Sequence, residues 1–203
     1  MVEPPWDLLL TGAFVITGTL GIWTLVVGPN RVGSPPRPLL DAYAILHINH
    51  AAMSAAMIMM IWVIVWGVAV WAQVALFALL TVALLRALRH ASDRARRADL
   101  VGHLALNAAM IWMLAAMPLL MAGTRAAGVA GHAGHPGHTP AAAPVGHAPG
   151  WAVAINSLFV AVCLAGLLWW LLRAASARRH RLPAAAHCLM ATGMGTMLLL
   201  MPA

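Results

Sequence analysis

The stretch His47-Ile-Asn-His50-Ala-Ala-Met53-Ser-Ala-Ala-Met57-Ile-Met59-Met60 decides how the rest of the chain is read. Met57 lies seven residues after His50, and Met60 lies ten after it. The same offsets recur at His103, Met110 and Met113, and again at His187, Met194 and Met197. At 100° per residue, offsets of seven and ten on an α-helix stay within about 80° of the starting position. Each of the three segments is therefore predicted to carry a His and a Met ladder on one helical face. Every Met except the first residue lies in one of these segments: Met53, Met57, Met59 and Met60; Met110, Met113, Met117 and Met121; Met190, Met194, Met197 and Met201.

Working outward, the chain of 203 residues is 63% hydrophobic and 8% charged. That leaves too few polar residues to cover a soluble domain. The long uncharged runs predict a multipass membrane protein, with spans near 8–27, 42–62, 68–88, 100–121, 151–172 and 183–201. The net charge of +7 comes from Arg alone. The Arg residues cluster between apolar runs, so they read as topology signals and not as a nucleic-acid surface. Cys163 and Cys188 form no CxxC motif and no disulfide framework. The start of the chain, with Glu3 and Asp7, lacks the basic region of a signal peptide, so the first span is expected to be retained.

Arg31 and Arg37 follow the first span. Arg86, Arg89, Arg94, Arg96 and Arg97 follow the third, and Arg173, Arg178, Arg179 and Arg181 follow the fifth. The positive-inside rule puts these loops in the cytoplasm and both termini outside. Trp6, Trp62, Trp66, Trp71 and Trp151 would then form an outer aromatic belt. The expected architecture is all-α: a single six-span domain over 1–203, built as three helical hairpins about a pseudo-threefold axis. Each hairpin returns through the membrane as a His/Met helix.

Imidazole with thioether is the ligand set of a soft metal, copper(I) first. Thioethers bind it without deprotonation, which suits a low-dielectric site. If the hairpins surround one axis, three rings stack: Met60, Met113 and Met197; then Met57, Met110 and Met194; then His50, His103 and His187. The two Met rings would sit about 4.5 Å apart. His47, at i−3 from His50, is a further candidate ligand, as are Met53, Met190 and Met117. Asn107, one turn beyond His103, is expected to orient it. The segment 122–150 is rich in Gly, Ala and Pro and reads as a flexible outer loop. Its His132-x-x-His135-x-x-His138 pattern suits metal capture.

Other readings stay open at this stage. Met also serves as a gap filler between Ala-rich helices, which would make the protein a structural scaffold. Inward His pairs also suit haem, or a copper redox site of three His. No Walker A loop, mid-span carboxylate, paired carboxylates or nucleophile constellation is found, so binding or transfer is expected in place of catalysis. The expected partners are the lipid bilayer, a metal ion, and a second copy or a membrane complex. The expected location is the plasma membrane.

The sequences HINHAAMSAAMIMM (47–60), GHLALNAAMIWMLAAMP (102–118) and AHCLMATGMGTMLLLM (186–201) resemble those of an actinobacterial multipass family known only as a domain of unknown function. That resemblance covers nearly the whole chain and implies a six-span membrane protein, but no activity. A looser similarity is to the eukaryotic trimeric copper importers, which stack Met rings from a Met-x-x-x-Met helix. Here Met53/Met57, Met113/Met117 and Met190/Met194 have that spacing. This chain differs in joining three hairpins in one polypeptide and in carrying a His loop where those importers have a Met-rich tail.

Overall fold

The computed structural model describes residues 5–27, 42–62, 67–120, 148–176 and 181–201. These form six helices: α1 (Trp6–Val27), α2 (Ala42–Trp62), α3 (Val68–Arg89), α4 (Arg94–Leu120), α5 (Gly150–Ser176) and α6 (Arg181–Leu200). All six are long and apolar enough to cross a membrane. The protein is an all-helical multipass membrane protein.

Local chemistry sets several helix ends. Asp7 lies in the first turn of α1, where a carboxylate complements the helix dipole. Gly67, just before α3, has φ 64°, a conformation that glycine adopts without steric cost. Arg86 and Arg89 close the last turn of α3 with favourable charge. Asp93 caps α4, its carboxylate accepting from Ala95 N–H at 3.4 Å and Arg96 N–H at 3.2 Å. This cap starts α4 at Arg94, ahead of the apolar run that begins at Leu100. Pro118 sits inside α4, in its last turn, where its missing N–H leaves the Leu114 carbonyl without its usual partner.

The helices pack as a closed circuit. Each contacts its neighbours in sequence, and α6 returns to α1. The most extensive contacts join α1 to α2, α3 to α4 and α5 to α6. Small residues allow close approach, as is usual between membrane helices. A Cβ at Gly18 would lie 3.1 Å from Ser54, and one at Gly193 only 2.6 Å from the Phe14 ring. Thr17 and Ser54 hydroxyls share a 2.9 Å hydrogen bond between α1 and α2. Trp62 Nε1–H donates to Thr11 Oγ1 at 2.8 Å between the same pair.

Half of α2, α4 and α6 is buried, against 17–28% of α1, α3 and α5. The three helices with His/Met registers therefore make the interior, and the other three face outward. One large core cluster gathers Met53, Met57, Met110, Met113, Met190, Met194, Met197 and Met201 with Phe14, Phe77 and Trp170. A smaller one, beside the turn from α3 to α4, holds Ile45, Leu84, Ala91 and Leu100. Of the expected aromatic belt, Trp6, Trp62, Trp71 and Trp151 are exposed, and Trp66 lies outside the described residues.

Candidate metal centre

Three interior helices each contribute one imidazole to a common point. His50 on α2 is 3% exposed, His103 on α4 is fully buried, and His187 on α6 is half-buried. His50 Nε2 lies 2.9 Å from His103 Nε2 and 2.6 Å from His187 Nδ1. All three ligand nitrogens fall within 4.8 Å of one another. The His50 and His187 rings are stacked, and His103 meets both edge-on.

Hydrogen bonding fixes what the His103 nitrogens offer. His103 Nδ1 lies 2.7 Å from the Asp99 carbonyl, one turn earlier on α4. A carbonyl only accepts, so Nδ1 carries the hydrogen and Nε2 of the neutral ring presents its lone pair to the cluster. His50 Nε2 faces that lone pair and His187 Nδ1 together. A single hydrogen at His50 Nε2 fully satisfies only one of the two contacts. With neutral rings the cluster thus holds more converging lone pairs than hydrogens, an arrangement compatible with a bound cation. Three nitrogens about 2.0 Å from one ion stand about 3.5 Å apart when trigonal, so the two close contacts would have to open by up to about 1 Å to admit one. His50 Nδ1 has no partner among the described residues.

The surroundings hold the cluster in place. Asp99 forms an ion pair with Arg173 of α5, both side chains less than a third exposed. Three residues before Arg173, Trp170 lies buried against the imidazoles, its ring centroid 5.1 Å from that of His187 and 6.0 Å from that of His103. The Trp170 Nε1–H has no hydrogen-bond partner among the described residues, at a cost of about 1–3 kcal/mol. Neither Trp170 nor the Asp99–Arg173 pair was expected from sequence. The available signal was the i, i+3 spacing of Trp170 and Arg173, which sets both on one face of α5.

Other candidates lie elsewhere. His47 is outside the cluster: its Nδ1 pairs with Thr24 Oγ1 of α1 at 2.9 Å, and its ring stacks edge-on against Tyr43. Asn107 does not orient His103, since the Asp99 carbonyl does; Asn107 Nδ2–H donates instead to Thr81 of α3 at 3.4 Å. Asn49, passed over in the sequence, is fully buried and donates to the Met53 sulfur at 3.3 Å.

Met53, Met57, Met110, Met190 and Met194 are fully buried, and Met113 and Met197 nearly so. Met60 and Met117 are partly buried against the same cluster. Met117 also lines a cleft of about 140 Å³ with Val70, Val74, Leu114 and Pro118. His132, His135, His138 and Met121 lie outside the described residues.

No curated protein and no solved structure matches the chain. One family model does, over residues 42–201, a segment that contains all three imidazoles of the cluster and the five helices α2 to α6. The chain therefore belongs to the family described as Domain of unknown function (DUF5134).

Proposed function

We propose that the protein binds copper(I) in the membrane and passes it between a Met-lined path and the three-His site. The observation that carries this reading is the convergence of His50, His103 and His187, with one ring nitrogen within 2.6 Å and 2.9 Å of the other two. Copper(I) suits this ligand set because it is soft and needs no anionic donor. The buried thioethers of Met53, Met57, Met110, Met113, Met190, Met194 and Met197 extend the soft surface away from the imidazoles. Contact between the His rings favours an ion-sized guest over a porphyrin.

In this reading the three tightly packed helix pairs are hairpins about a pseudo-threefold axis, with both termini outside the plasma membrane. The Met rings are Met57, Met110 and Met194, and above them Met60, Met113 and Met197. His132, His135 and His138 collect metal at the outer face. The role is binding and transfer, driven by the ion's own gradient or by a partner protein.

The test is metal analysis of the purified protein by mass spectrometry, with an absorption spectrum of the same sample. Stoichiometric copper, lost when His50, His103 and His187 all become Ala, is the expected result. Metal lost only on deletion of 128–149 reduces the site to a capture loop. Copper retained when Met57, Met110 and Met194 become Leu removes the Met path. A Soret band replaces copper with haem. No metal after copper(I) loading, and no Soret band, leaves the protein a structural scaffold.

A further inference from the structure

We propose that Trp170 is the closing wall of the metal site: a non-coordinating π surface that confines the ion to three nitrogens and selects a soft monovalent cation over zinc(II). The inference rests on the copper(I) reading above and deepens it.

Trp170 is 1% exposed and touches two of the three ligand rings. Two glycines clear the space for it. A Cβ at Gly102 would lie 2.7 Å from Trp170 Cζ2, and one at Gly166 would lie 3.1 Å from Cζ3. Gly102 directly precedes the ligand His103, and Gly166 lies one turn before Trp170 on α5. The chain thus omits a side chain on each side of the indole, at the level of the imidazoles. The indole N–H is without a partner among the described residues, so no hydrogen bond accounts for the ring's position. It rests against the His103 and His187 rings and in the space left by the two glycines.

The consequence is selectivity. Among the described residues, the cluster holds three His and no carboxylate or cysteine. Zinc(II) takes four donors, with water or an anionic side chain completing three His. An indole supplies no lone pair for that position, and its bulk keeps water from the side it covers. Copper(I) needs neither a fourth donor nor a balancing anion. The negative face of an indole attracts a cation within about 6 Å, and the attraction strengthens in a desolvated setting. A monovalent ion also brings less uncompensated charge into the bundle than a divalent one.

The experiment uses the full chain in lipid nanodiscs, without oxygen, titrated separately with copper(I), with silver(I) as a redox-inert probe, and with zinc(II). Bound metal and tryptophan emission are read on the same samples. The proteins are the wild type, Trp170→Phe, Trp170→Leu and Trp169→Phe, the last because Trp169 is an exposed neighbour. Copper(I) and silver(I) are expected to quench emission in the wild type and in Trp169→Phe. Trp170→Phe should keep the bound metal and lose most of the quench. Trp170→Leu should bind copper(I) roughly tenfold more weakly and gain zinc(II). If Trp170→Leu does not fold, the emission difference between Trp170→Phe and Trp169→Phe decides. Unchanged copper(I) and zinc(II) affinity in Trp170→Leu, or an unchanged quench in Trp170→Phe, overturns the proposal while the copper(I) reading stands. A wild type that binds none of the three metals overturns the copper(I) reading, and the proposal with it.

Discussion

The helices α2, α4 and α6 differ from α1, α3 and α5 in a way that runs through the whole molecule. The first set is half buried, has the lower mean hydropathy, and carries the converging imidazoles and the Met ladders. The second set is mostly exposed and more apolar. In water that order would be reversed, with the apolar helices inside. In a bilayer the lipid is as apolar as any side chain, so polar and polarisable residues gain most by facing one another. The outer helices answer to the lipid and the inner ones to the site.

Substitutions on the two sets should break the comparison or sharpen it, the largest effect first. Phe14, like Phe77 and Trp170, is an exception, an outer-helix residue that reaches the core, in its case against Gly193. Phe14→Ala is expected to cost about 3–5 kcal/mol in reversible unfolding in detergent or bicelles. Leu79→Ala, on the same class of helix but 70% exposed, should cost less than about 1 kcal/mol. Equal losses would erase the distinction between inside and outside. Met194→Ala, at a fully buried site on α6, should cost about 2–5 kcal/mol by the same measurement.

Ligand linkage sharpens the contrast further. Copper(I) at a hundredfold excess over its Kd should raise unfolding stability by about 2.7 kcal/mol. A copper(I) chelator should remove that gain. His103→Ala should abolish it, whereas the outer-face Leu79→Ala should leave it whole. Gly193→Ala drives a Cβ toward the Phe14 ring and should cost about 1–3 kcal/mol through overpacking. The smallest effect is expected at Thr17→Val, which removes the Thr17–Ser54 bond, at about 0.6 kcal/mol. A larger loss there would mean that polar contacts, and not side-chain packing, hold α1 to the bundle.

Much of this was legible in the sequence. Apolar runs of the right length announce six helices, and the repeated His-to-Met offsets fall on the three that the structure buries most, although the offsets alone do not say that these helices face one another. The same repeat pointed to His50, His103 and His187 as one group, and the structure places them together. The finer assignments depended on neighbours that no spacing within one helix reveals. His47 and His50 lie at i and i+3 and can face one ligand, but the Thr24 hydroxyl on α1 takes His47. Asn107 was the obvious partner of His103, yet the Asp99 carbonyl of the preceding turn reaches the ring first. Trp170 was hidden because a tryptophan in an apolar helix looks like any membrane aromatic. Arg173 was counted as a loop charge, when its partner is an acid on another helix.

The three imidazoles come from positions 50, 103 and 187, so the first and last are 137 residues apart. During synthesis the chain emerges in that order. A partly made protein holds one imidazole, then two, and gains the third only when the last helix has entered the bundle. A prematurely terminated chain lacks the complete site. In the copper(I) reading, metal occupancy would report that synthesis and insertion have passed α6.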